Sequence, residues 1–236
     1  YNTGSATKVY KSIDAAATFT PVSLYDAPYG LGNLVAGTVD GTLCIVGGSV
    51  NGLTRVDCST NGALTWTNEA STVPSGPGFA AGAFDEGGNL YLASDEDNVI
   101  QVARRDAAGA WLPSVNVTVE GSSRMPWMAA GADGVAVVAW YGTDAAEPDL
   151  WRSRGGLSRD HGATWERFVA DPEPVFTGDL GRDLLDFFQV ELGPDGAVHV
   201  AYSKLPVGEG NEEQLTYVRS EPRPELAASP YRNGPH

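Results

Sequence analysis

The chain has 236 residues, 30 of them acidic and 15 basic, and a formal net charge of -15. Lysine occurs only at Lys8, Lys11 and Lys204, so no basic stripe exists to displace counterions from a nucleic-acid backbone, and an anionic membrane surface repels the chain. The longest apolar run, residues 135–141 with their neighbours, is about half of a bilayer span, so no transmembrane helix is expected, while 42% apolar residues supply a core.

Tyr1 is not an initiator methionine and no charged-then-apolar leader follows it, so the chain reads as a processed or truncated product whose targeting signal is already gone. Its acidic surface suits a secreted protein and equally a salt-rich medium.

Helical periodicity is nearly absent, and short β-branched and aromatic runs alternate with Gly, Asp, Asn and Pro turns, so the chain is expected to be all-β. In chain order, strands are predicted over 7–11 and 18–24. An inner pair at 34–39 and 42–46 follows, turning at Asp40-Gly41, and then strands at 53–58 and 65–69. The same order recurs at 79–84, 89–93, 98–104 and 111–117. It recurs again at 125–132 and 135–141, turning at Asp133-Gly134, and at 149–157 and 164–169. A last group spans 187–192, 197–203 and 214–219, and the proline-rich residues 221–236 form an extended tail without strand pattern. Cys44 and Cys58 flank the predicted hairpin at Asn51-Gly52, which is compatible both with a cross-strand disulfide and with two buried free thiols.

An internal repeat runs through this series. Residues 158–165 spell S-x-D-x-G-x-T-W, from Ser158 and Asp160 to Gly162, Thr164 and Trp165. Ser12, Asp14, Ala16, Thr18 and Phe19 fit the frame, as do Ser59, Asn61, Ala63, Thr65 and Trp66, while Asp106 and Trp111 keep only the acid and the aromatic. The acidic positions 14, 61, 106 and 160 recur at about the length of one four-stranded propeller blade.

These octets resemble the Asp-box, or bacterial neuraminidase repeat, of the sialidase-like β-propellers. The resemblance implies a turn between the third and fourth strands of each blade, in which Asp14, Asn61, Asp106 and Asp160 accept hydrogen bonds from their own turn. Phe19, Trp66, Trp111 and Trp165 then wedge between strands. It also implies six blades of four antiparallel strands, of which this chain covers four to five. The blade pieces are 1–25, 31–70, 79–118, 125–170 and 186–220, with the missing strands supplied by another chain or a missing segment. A sialidase active site needs an arginine clamp for a carboxylate, a tyrosine nucleophile and acidic partners.

Ligands of propellers sit where loops lead into the inner strands, a region containing Asp26, Tyr29, Arg124, Trp127, Arg182, Asp183, Asp186 and Phe187. No catalytic set is assigned: Arg124, Arg182 and Asp186 are the candidates for clamp or acid roles, and Trp127 and Tyr141 are candidates for a sugar-stacking surface. Asp179, Asp183 and Asp186 offer oxygen ligands for calcium, although their spacing is not that of an EF-hand. No other cofactor is required. His161, His199 and His236 are too scattered for a zinc site or a Ser-His-Asp triad. Asn116-Val117-Thr118 is a glycosylation sequon in a predicted strand.

The resulting expectation is an extracellular or cell-surface propeller that binds a glycan or a protein partner, or acts in assembly. The alternatives are a sialidase-type hydrolase with part of its active site outside this chain, and a structural subunit of a surface layer or filament.

Overall fold

The computed structural model describes residues 7–25, 33–37, 39–76, 80–118, 121–180, 184, 188–205 and 213–228. Apart from one short 3-10 turn, every regular element among them is a strand. β1 (Thr7–Lys11) and β2 (Thr20–Tyr25) form an antiparallel pair. β3 (Asn33–Ala36), β4 (Leu43–Val50), β5 (Leu53–Ser59) and β6 (Thr67–Pro74) follow as a four-stranded sheet in sequential order. β7 (Ala80–Phe84), β8 (Leu90–Glu96), β9 (Val99–Arg105) and β10 (Val115–Asn116) make the next.

The following sheet contains β11 (Ser123–Ala130), β12 (Ala136–Asp144), β13 (Glu147–Ser158) and β14 (Glu166–Val169). Here β15 (Phe176–Thr177) pairs with the early part of β13 beside β14, an extra strand that the sequence pattern does not announce. β16 (Phe188–Leu192), β17 (Val198–Lys204) and β18 (Gln214–Arg219) form the last sheet. All pairings are antiparallel, and the innermost strands β3, β7, β11 and β16 of successive sheets lie next to one another.

Each inner sheet is covered on both faces, which explains its sequence. Leu90, Tyr91, Leu92 and Ala93 of β8 are all buried, as are residues 136–141 of β12, so odd and even positions alike face a neighbouring sheet. Three apolar layers fill the spaces. One joins Val46, Val56 and Val73 to Leu90 and Leu92, a second joins Tyr91 and Ile100 to Val138 and Trp140, and a third joins Tyr141 and Leu157 to Val190 and Tyr202. The last sheet differs, because β16 alternates strictly between buried Phe188 and Val190 and exposed Gln189 and Glu191.

Cys44 and Cys58 stand directly opposite one another on β4 and β5 and are joined by a disulfide, with Cα atoms 4.1 Å apart. Residues 221–228 of the tail lie against the sheets: Leu226, in the turn Pro224–Leu226, is fully buried in the third apolar layer. Its carbonyl accepts the Ala132 N–H at 3.2 Å, and Arg223 N–H bonds to Asp195 O at 2.9 Å.

Candidate functional site

The antiparallel order gives the molecule two ends. At one, the mouth, the innermost strands begin beside the hairpins between second and third strands. At the other lie the inner Asp-Gly turns and the octet turns. Sequence candidates fall at both.

The octets brace their turns with their own side chains. In the copy at 158–165 the Ser158 hydroxyl bonds Asp160 Oδ1 at 2.9 Å and accepts Gly162 N–H at 2.8 Å. Asp160 Oδ1 accepts Thr164 N–H at 2.9 Å, and Oδ2 takes the Thr164 hydroxyl at 2.6 Å. Ser12, Asp14 and Thr18 repeat the set, as do Ser59, Asn61 and Thr65 with the amide in place of the carboxylate. The hydrogen bonds from Thr18, first its hydroxyl and then its N–H, lower Asp14 to about 2, and those from Thr164 likewise lower Asp160. In each copy the two residues after the acid or amide adopt positive φ: Ala15 and Ala16, Gly62 and Ala63, His161 and Gly162. The copy at Asp106 is a different turn, with Ala110 N–H on Asp106 Oδ1 at 2.8 Å and Gly109 alone at positive φ.

The aromatics follow the neighbours they have. Trp165 packs into the layer between the second and third four-stranded sheets, Trp111 into the layer before it and Trp66 beside Ile45 and Val9, whereas Phe19 is 60% exposed. Asp85, Asp133 and His161 bring one ligand atom each within 4.8 Å of one another at this end. The Asp85 oxygens, however, already accept Asn89 N–H, the Asn89 amide, the Tyr91 hydroxyl and Gly134 N–H, all within 3.0 Å. A carboxylate so filled has no lone pair to give a metal, and the cluster is a bracket between neighbouring sheets.

The mouth is shaped by a bulge in β11 between Arg124 and Trp127, where Met125 takes φ 57 and gives its N–H to Asp95 Oδ2 at 3.0 Å. A non-glycine residue held there is strained, and such bulges re-aim side chains. Arg124 is half-buried and opposes Tyr141 across β11 and β12, so its side chain shares the face that looks toward the last sheet. Among the described residues its guanidinium has no hydrogen bond or ion pair. Arg152 and Arg154, by contrast, hold Asp144, and Arg105 holds Glu69.

Tyr141 corrects one expectation. It is fully buried, edge-on to Phe188 with ring centroids 4.6 Å apart, and its oxygen bridges Ser203 O and Ser203 N–H at 3.2 and 3.1 Å. It is a core residue beneath the mouth, with no face free for a sugar. Trp127 is half-buried against the same layer. Further out, Tyr202 donates to Asp171 Oδ2 at 2.7 Å, and Lys204 Nζ reaches the same oxygen at 3.2 Å. Burial pushes Asp171 up, but hydrogen bonds from Tyr202, Glu173 N–H and Lys204 outweigh it and lower the carboxyl. Burial raises Tyr141 and Tyr202 far above the ordinary phenol, and the bond to Asp171 adds to the rise at Tyr202. Both phenols are therefore neutral donors.

Arg182, Asp183, Asp186, Asp26, Tyr29 and Phe187 lie outside the described residues. Asp179 is exposed beside the mouth, so the calcium trio is represented by one member. The bulge and the Asp171 cluster were missed by sequence reasoning. A Pro following Met125 is the only local signal of the first, and nothing adjacent in sequence links Asp171 to Tyr202.

Comparison with solved structures decides the fold. A variant of the NanB sialidase from Streptococcus pneumoniae superposes with a TM-score of 0.56 at 13% identity, over 92% of this chain and 36% of that one. By fold, the chain is a β-propeller. The leech intramolecular trans-sialidase gives 0.57 at 16% identity, covering 91% of this chain and 36% of the other. An α-L-arabinofuranosidase from Fusarium graminearum gives 0.52 at 14% identity, covering 89% and 72%. The propeller thus spans about a third of the length of the sialidases it resembles. The sequence matches no protein-family model and no curated protein.

Proposed function

We propose that this propeller is an extracellular glycan-binding module that takes an acidic sugar at the mouth, over Arg124 and Trp127, and that its octets are Asp-boxes with a purely structural role. One observation carries the reading. In a chain with 30 acidic side chains, the half-buried Arg124 guanidinium has no anion of its own among the described residues. A guanidinium held this way accepts a carboxylate in a two-pronged fit that lysine cannot supply.

A hydrolase of sialidase type, completed by residues beyond this chain, is the second reading, favoured by the glycosidase folds to which the propeller is similar. Calorimetry with 3′-sialyllactose and lactose, wild type against Arg124→Ala, separates these readings when paired with a fluorogenic sialoside. The binding module holds the sialylated sugar alone, loses it roughly tenfold or more in Arg124→Ala and releases no fluorophore. Turnover abolished by Arg124→Ala establishes the hydrolase, and absence of sialoside binding refutes both.

A further inference from the structure

We propose a second ligand site, on the outer face of the last sheet, that takes a neutral saccharide. The inner sheets are apolar on both faces because neighbours cover them, whereas the outer face of the last sheet is mixed: β16 turns Gln189 and Glu191 outward, β17 turns His199 and Ala201 outward, and β18 exposes Leu215, Tyr217 and Arg219 there. Register defines the outer face. Gln189, Ala201 and Tyr217 form one row across the three strands, and Glu191, His199 and Arg219 form the next. Ala201, set between two long side chains, is the floor of a cleft of about 370 Å³ walled by Gln189, Glu191, His199 and Tyr217. That size is in the range of small-molecule sites.

The wall chemistry selects the ligand class. Tyr217 is 58% exposed, and its ring is steadied by His199, with centroids 5.8 Å apart and a 2.6 Å contact between the phenol oxygen and Nδ1. Whichever of the two groups donates in that contact, the phenol oxygen keeps a lone pair for an incoming hydroxyl. Gln189 Nε2 donates to Glu191 Oε1 at 2.9 Å, leaving the second carboxylate oxygen and the amide carbonyl as acceptors. An amphipathic ring beside a row of acceptors matches the apolar face and the hydroxyls of a pyranose. Arg219 is neutralised by Asp195, so Glu191 is the residual charge in the cleft, and it repels a carboxylated sugar. The site is independent of the mouth in residues, location and charge preference.

Saturation-transfer NMR and calorimetry with cellotriose and tri-N-acetylchitotriose, and with 3′-sialyllactose as the acidic comparator, test it. At least one neutral trisaccharide binds. Tyr217→Ala, which removes the ring, and Ala201→Leu, which fills the floor, each weaken that binding roughly tenfold or more. Ala201→Ser keeps the floor low and retains it, which separates a filled cleft from a misfolded strand, and Arg124→Ala leaves it unchanged. The proposal is overturned if no neutral trisaccharide binds at millimolar concentration, if binding survives both Tyr217→Ala and Ala201→Leu, or if Arg124→Ala abolishes it.

Discussion

Replacing Asp85 with alanine tests the bracket between the two central sheets. The side chain is 1% exposed and accepts from Asn89 N–H, the Asn89 amide, the Tyr91 hydroxyl and, across the sheet boundary, Gly134 N–H. Alanine leaves these donors facing a cavity. A buried donor without a partner costs about 1–3 kcal/mol. Tyr91 is itself fully buried and cannot turn to water, and one water in the vacated space serves two of the donors. The net cost is then about 3–5 kcal/mol, which lowers the melting temperature of a chain this long by roughly 6–20 °C. Tyr91→Phe removes one donor and costs about 1–2 kcal/mol. Urea denaturation of both single variants and the double variant closes a cycle in which the Tyr91 loss largely vanishes once Asp85 is gone. A cost below about 1 kcal/mol for Asp85→Ala, or additive effects in the cycle, would refute the bracket.

Three further outcomes are expected. Reduction of the Cys44–Cys58 bond, which closes a loop of 14 residues, destabilises by about 3 kcal/mol, visible as a lower melting temperature in dithiothreitol than without it. Leu226→Ala costs about 2–5 kcal/mol because the side chain is fully buried, and it frees residues 221–228 for limited proteolysis that the wild type resists. Asp14 is depressed in the folded state to about 2, so its octet contributes stability above the unfolded value near 3.9 and loses it as pH falls from there through 2. Carboxyl NMR titration of Asp14 against Asp14→Asn reads this directly, and an ordinary midpoint near 4 counts against the hydrogen-bonded turn.

Much of the fold was legible because the physical signal is local. Predicted strands at 34–39, 187–192 and 214–219 correspond to β3, β16 and β18 within a few residues, since alternation and Asp-Gly turns mark them without help from tertiary contacts. β15 escaped because two residues carry no periodicity; it exists because β13 runs past the end of β14 and leaves main-chain groups for a later segment to pair. Tyr141 looked like a ligand surface because aromatic residues near a mouth and in a core have the same sequence signature. The next sheet decides between them, and nothing near Tyr141 in sequence describes it. The Asp171–Tyr202–Lys204 group and the hydrogen bond from Gly134 to Asp85 join residues more than thirty positions apart, beyond any spacing rule.

The octet turns bear on which residues hold a left-handed loop in place. Two consecutive left-handed residues are usually read as a demand for glycine, yet the copy at 12–19 adopts them with Ala15 and Ala16. The crossed bonds among Ser12, Asp14 and Thr18 hold the loop shape that glycine would merely permit. Alanine thus serves where glycine is expected, at the expense of some backbone strain, while every braced copy keeps a hydroxyl, a carboxylate or amide, and a second hydroxyl. A signature built on the trio at i, i+2 and i+6, with Asp or Asn in the middle, finds all three braced copies, whereas one anchored on the glycine in its Gly162 position finds a single copy and overlooks the two turns built the same way.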